Sequence, residues 1–298
     1  MARRNIHLLV IDPQNDFCDL PENYLPVNPL AAKVTPPAGD DRIRPQLAVT
    51  GAHADMLRLA EFIHKGMRGL ADMSVTLDSH HKVGIERPAM WMQADGSPVN
   101  PFTQIRAADV RAGKYLPRNP KATPRVLAYL DALEAGGRYT HMVWTPHCEI
   151  GTWGHNVHAD VLAAYNKWEL AECGVVNKVT KGSNPWTEHY SAVMAEVPDA
   201  NDPGTQLNRG LIDILQQSDL VLISGEAGSH CVKATTEHIA DHFGSGGLDK
   251  LVLLTDTISP VAGFEPQYQQ FLRDMKARGL QVSTTADMLG ELVANGRR

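Results

Sequence analysis

The chain is poor in the features that would assign it to several large classes of protein. Its four cysteines, Cys18, Cys148, Cys173 and Cys231, lie far apart with no C-x-x-C spacing, which speaks against a disulfide framework or a zinc ribbon and fits a reducing cytoplasm. It has no basic stripe: the net charge is −6, and Lys and Arg are scattered along the sequence. That argues against a nucleic-acid partner and favours small substrates. No apolar stretch approaches membrane-spanning length, so no membrane partner is expected. The opening "MARRNIHLLVIDPQ" places two arginines before an apolar run that is too short for a signal h-region and that meets Asp12 at once. Internal repeats and low-complexity tracts are absent, and a homo-oligomer is left open.

What the chain does have is a rhythm. Apolar runs at 6–12, 72–78, 140–145, 174–179, 219–225 and 250–256 read as buried parallel strands. Between and after them, segments 52–66, 123–135, 155–169, 205–217, 230–243 and 266–278 carry helical spacing, and the tail reads as a last edge strand and a closing helix. Strand alternating with helix predicts an α/β fold of three layers, α/β/α, around a six-stranded, mostly parallel, doubly wound, Rossmann-like sheet. The 298 residues are expected to form a single domain. Two stretches break the rhythm, a proline-rich one at about 18–49 and one rich in Pro, Gly and Asn at about 84–122. Both read as insertions or long loops.

In such sheets ligands bind beyond the carboxyl ends of the strands, and chemically capable residues gather there. Cys231 sits where the run "DLVLISG" gives way to a helix, and N–H groups at a helix N-terminus favour a thiolate. Asp12 ends the first strand as either a base or a loop-capping residue. Lys181 precedes Gly182, where the backbone can turn closely, and a lysine beside a cysteine also favours thiolate. In "TLDSHH", Asp78 and His80 stand two apart and point to one side of an extended segment. They form either part of a metal site or a pair of surface polar groups. His147, in a loop bearing Pro and Gly, would complete an Asp-His-His set with positions left for water or substrate.

Five stretches, "VIDPQNDF", "LDSH", "WTPHCEIGTWG", "KVTKGSN" and "SGEAGSHCV", occur in this order. Together they resemble the isochorismatase-like cysteine hydrolases, and within them the metal-containing nicotinamidases/pyrazinamidases, over about residues 6 to 260. The resemblance implies a catalytic triad of Asp12, Lys181 and Cys231. It implies metal ligands at Asp78, His80 and His147 and aromatic walls for the substrate ring at Phe17 and Trp144. An oxyanion hole would come from the N–H groups of Ala227 and Cys231, with a cis Glu226–Ala227 peptide aiming the first. Nicotinamidases often carry a further His about six residues past the Asp-x-His; Glu86 stands there instead and is the candidate fourth ligand, while His81 directly follows His80. The implied cofactor is a divalent metal, Zn²⁺ ahead of Fe²⁺ or Mn²⁺.

The function implied is hydrolysis of nicotinamide to nicotinate and ammonia through a cysteine thioester, in pyridine-nucleotide salvage. A cysteine hydrolase of another small amide or ureido compound is the competing reading, with the insertions reshaping the pocket. A catalytically silent scaffold of the same fold is a third, against which Asp12, Lys181 and Cys231 speak together.

Overall fold

The computed structural model describes residues 2–31, 41–244 and 247–297. Its strands are β1 (Ile6–Ile11), β2 (Asp72–Asp78), β3 (Trp91–Gln93), β4 (Thr103–Gln104), β5 (Tyr115–Pro117), β6 (Met142–Val143), β7 (Asn177–Lys181), β8 (Leu220–Gly225), β9 (Leu251–Leu254) and β10 (Gln281–Ser283). Its helices are α1 (Ala52–Gly66), α2 (Ala107–Arg111), α3 (Thr123–Gly136), α4 (Ala159–Glu172), α5 (Arg209–Gln217), α6 (Cys231–His242), α7 (Glu265–Ala277) and α8 (Thr285–Asn295). Six strands form one sheet in the order β10-β9-β8-β1-β2-β7, and every pairing in it is parallel.

Burial follows from the sequence pattern. β1 and β8 are buried at every residue, as central strands covered on both faces must be. Successive side chains alternate between the faces. Leu8, Val10, Val75 and Leu222 pack on α1, α4 and α8 through Met56, Leu59, Ile63, Trp168 and Leu292. Leu9, Ile11, Val221 and Ile223 pack on α5, α6 and α7 through Leu215, Ile239 and Phe271. The result is the expected α/β/α sandwich. No helix among the described residues is long and apolar enough to cross a membrane, and all four cysteines are free.

One expectation needs correction, and one alternative is decided. The run 140–145 is not in the main sheet: only Met142–Val143 is extended, antiparallel to Thr103–Gln104, because β7 takes the place beside β2. The sixth strand is instead the tail's Gln281–Ser283 beside β9. An apolar run reports burial, not which sheet it joins. Of the two readings of 84–122, the insertion holds rather than the loop: it contains the antiparallel pair β3 and β5, the helix α2 and buried Ile85, Trp91, Ile105 and Val110, which share a separate core with α3. Of the stretch 18–49, positions 32–40 lie outside the described residues, while the rest contains a short 3₁₀ turn at Glu22–Tyr24.

The strand order reverses between β1 and β8: the chain runs from β1 outward through β2 to β7, then returns to β8 and continues to the other edge. This switch point is where the crevice of a doubly wound sheet opens. Asp12 follows β1, and the segment leading to Cys231 follows β8. The two strands close tightly here, since a Cβ on Gly225 (φ +123°) would lie 1.9 Å from the Ile11 carbonyl oxygen, so only glycine fits.

Candidate active site

Four strand ends converge on one buried cluster. Asp12 leaves β1 in the left-handed region (φ +45°), which is uncommon outside glycine and which Asp tolerates better than most residues. Its N–H donates to Thr76 Oγ1 at 3.0 Å, and its Oδ1 accepts from the same hydroxyl at 2.5 Å. Lys181 and Asp78 are register partners at the ends of β7 and β2. The Lys181 Nζ lies 2.9 Å from Asp12 Oδ2 and 2.8 Å from Asp78 Oδ1, donates to the His189 carbonyl at 3.1 Å, and sits 3.6 Å from Cys231 Sγ. Cys231 is the first residue of α6, and its thiol faces both the Lys181 ammonium and the charge of the Asp12 carboxyl.

Burial sets the protonation of this trio. It pushes the Asp12 carboxyl up against the pull of Lys181, with Asp78 adding to the rise. It pushes Lys181 down, but Asp12, Asp78 and Cys231 outweigh it and hold the ammonium well above the usual lysine range. It pushes the Cys231 thiol well up, and Lys181 offsets only part of that. Lys181 acts in the expected direction, but desolvation of an enclosed sulfur outweighs it. Burial thus favours the thiol over the thiolate and raises the basicity of the Asp12 carboxylate nearby.

Beside the trio, Asp78, His80 and His147 offer ligand atoms that all lie within 4.8 Å of one another. His80 Nε2 is 2.8 Å and His147 Nε2 3.2 Å from Asp78 Oδ2. His147 Nδ1 is 2.8 Å from the Thr145 carbonyl oxygen, to which it donates when Nε2 carries the lone pair. The donor set suits a divalent cation, and so does the local charge. Buried Asp12, Asp78 and Glu86 face Lys181 and Arg87, which leaves one carboxylate without a permanent cation. His80 registers that excess: burial pushes it down, yet Asp78 pulls it up to about 9. His147 is held at about 4 by burial and by Arg87.

Glu86 is not placed as a fourth ligand. Its Oε1 lies 3.1 Å from Nδ1 of His80, on the far side of the ring from Nε2, and 3.0 Å from Arg87 Nε. It orients the histidine. Arg87 is buried as well; its guanidinium donates to the carbonyls of Thr145 at 2.6 Å and His147 at 2.5 Å, fixing the loop that carries His147. The sequence reading missed Arg87, because a charge inside an insertion has no periodicity to mark it. His81 is exposed.

The cluster forms the floor of a narrow pocket lined by Phe17, Trp144, Asp78, His147, Lys181, Ala227 and Cys231. The two aromatics expected there are present. Tyr190 and His230, not anticipated, join them: the Trp144 Nε1–H donates to Tyr190 Oη at 3.0 Å, and Trp144 and His230 meet edge to face. Leu47, from the proline-rich insertion, completes the wall. The Glu226–Ala227 peptide is cis. Neither the Ala227 nor the Cys231 N–H has a hydrogen-bond partner among the described residues.

Comparison with solved structures gives long alignments at low identity. An Acinetobacter baumanii nicotinamidase/pyrazinamidase matches with a TM-score of 0.58 at 18% identity, covering 96% of this chain and 98% of the other. The chain has the isochorismatase-like fold. The yeast nicotinamidase bound to the inhibitor nicotinaldehyde matches at 0.56 and 18%, over 94% and 99% of the two chains. An L. infantum protein in complex with nicotinate matches at 0.54 and 16%, over 96% of each. No protein-family profile and no curated protein matches the sequence.

Proposed function

We propose that the protein is an amidohydrolase that converts nicotinamide to nicotinate and ammonia through a thioester on Cys231. The observation that carries this is the meeting of a thiol, a carboxylate and an ammonium at the floor of an aromatic-walled cavity whose side offers two unbonded N–H groups. The aldehyde inhibitor of the yeast structure and the nicotinate of the L. infantum structure support it, because each has the carbonyl chemistry that this reading assigns to the cavity.

Asp12 takes the Sγ proton, and the freed electron pair attacks the carboxamide carbon. The carbonyl electrons move to oxygen, which the N–H groups of Ala227 and Cys231 receive; a preorganised donor of this kind is worth about 10²–10³ in kcat. Lys181 stays protonated and holds Asp12 and the sulfur together. The C–N bond breaks as Asp12 returns its proton to nitrogen, releasing ammonia and leaving the thioester. Asp12 then takes a proton from water as the water oxygen attacks the thioester carbon. The C–S bond breaks, sulfur recovers the proton, and the acid leaves. A divalent cation held by Asp78, His80 and His147, whether Zn²⁺, Fe²⁺ or Mn²⁺, would supply an electrophilic partner for a ring nitrogen.

A larger amide is the second reading. A second, open pocket lined by Gln104, Arg138, Tyr139 and Gln267 shares Trp144, Tyr190 and His230 with the first. The deciding experiment is ammonia release from a panel of small amides, with metal analysis of the same sample and Cys231→Ala as control. Ammonia from nicotinamide that disappears in C231A supports the proposal; near-normal activity in C231A sinks it.

A further inference from the structure

Glu226 precedes Ala227, yet no step above uses its side chain. It is completely buried. Its N–H donates to the Ile11 carbonyl at 2.8 Å, and its Oε2 accepts from the Ser259 N–H at 3.2 Å. No donor reaches its Oε1. The carboxyl of Asp55 on α1 meets it at Ser259, whose N–H reaches Glu226 Oε2 and whose hydroxyl reaches Asp55 Oδ2, and each carboxyl acts on the titration of the other. Two ionised carboxylates bring only acceptors, so a bond between them requires a proton.

The surroundings say where that proton sits. Asp55 accepts from the Ser259 hydroxyl at 2.5 Å and pairs with Arg58, so its charge is met. The other groups that interact with Glu226 are Cys18 and Asp19, from the segment after β1, and Tyr268 on α7, none of them a cation. Glu226 is the member left without a counter-charge. The same loop is laced to the next strand end: the Gly228 N–H donates to the Ser259 carbonyl at 2.8 Å, and the Val261 N–H to Ser229 Oγ at 3.1 Å.

We propose that Glu226 is a neutral acid whose O–H donates a hydrogen bond to Asp55 and that, by tying the 226–229 turn to α1, it positions the Ala227 N–H. It is a positioning residue, and its role rests on the reading of Ala227 as an oxyanion donor. Losing the proton would set two buried anions against each other directly behind that donor. Burial and the Asp55 charge hold the Glu226 carboxyl well above the usual range, in keeping with this.

Glu226→Gln reproduces the neutral acid: its amide N–H can donate to Asp55 while its oxygen accepts from Ser259. Glu226→Met keeps the volume and removes both bonds. The expected result is that E226Q keeps most of kcat, while E226M loses up to about 10² in kcat with KM little changed. The infrared difference between wild type and E226Q at neutral pH should contain the C=O stretch of a protonated carboxylic acid. A folded-state pKa raised above the unfolded value makes stability full below the unfolded value and lost as pH rises toward the folded one. The wild-type unfolding constant should thus climb by about tenfold per pH unit relative to E226Q in that window. A missing acid band, an E226Q as slow as E226M, or an E226M as fast as wild type each overturns the proposal. If no form releases ammonia, the amidase reading fails separately. The infrared band then still decides the proton, and the NMR shift of the Ala227 amide, retained in E226Q and moved in E226M, decides the positioning.

Discussion

Gly182→Ala tests how tightly the metal-ligand set is built. Gly182 follows Lys181 with φ +88°, and a Cβ there would lie 3.0 Å from His80 Cε1 and 3.1 Å from Asp78 Oδ1. The left-handed backbone alone costs an alanine about 1–2 kcal/mol. Contacts this close to a buried ring and carboxylate add the cost of overpacking, about 1–3 kcal/mol, since neither group has room to retreat. Gly96→Ala separates the two terms, because Gly96 has φ +83° and no atom within 4 Å of the point where an alanine methyl would stand. At about 2–4 °C per kcal/mol, G96A should lower the chelated protein's melting temperature by about 2–8 °C and G182A by about 4–20 °C. G182A should also weaken metal binding by about 10–100-fold, the usual effect of disturbing what surrounds a ligand, whereas G96A should not. Both are read from thermal melts with and without chelator and from competition titration with a metal indicator. Equal melting losses in the two variants, or an unchanged metal affinity in G182A, would refute the packing described here.

Two further outcomes follow from the site and the sheet. Nicotinamide and pyrazinamide should be hydrolysed while benzamide, which lacks the ring nitrogen, falls behind by at least about 10² in kcat/KM; chelation should abolish the advantage, and comparable values for benzamide and nicotinamide would shift the assignment to a general small-amide hydrolase. His7, buried on β1 with Nε2 2.9 Å from Ser74 Oγ, is pushed by burial down to about 4. A depressed histidine gives stability that is full above about pH 6.5 and lost as pH falls toward the folded value, so His7→Gln should flatten the acid side of the melting curve between about pH 6.5 and 4, and an unchanged slope there would count against a neutral buried His7.

The layers were legible because strand and helix periods survive in the sequence: Leu9 and Ile11 face one side of β1 and Leu8 and Val10 the other, and the run says so. Met142–Val143 was misplaced because burial of a short apolar run does not encode its pairing partner. At the site, the strand-end residues Asp12, Asp78, Lys181 and Cys231 could be found from their position after apolar runs. Arg87, Tyr190 and the Asp55–Glu226 pair could not. Each depends on contacts between segments far apart in the chain, and a charged residue that will be buried looks in sequence like one that stays in water. The burial that weighs on the Cys231 thiol was hidden for the same reason, since helix position is local and desolvation is not.

The switch point between β1 and β8 also fixes a timetable. From Ile11 to Leu220 the chain runs on for 220 − 11 = 209 positions, and at about 5–20 residues per second synthesis takes roughly 10–40 s to cover them. Once Asp72–Asp78 has been made, β1 can pair with β2 on one side, while its other edge still awaits a strand not yet made. The thiol arrives later still, at the start of α6. A nascent chain therefore carries an open, largely apolar strand edge for most of its translation, and Asp12 and Cys231 can meet only when β8 closes on β1.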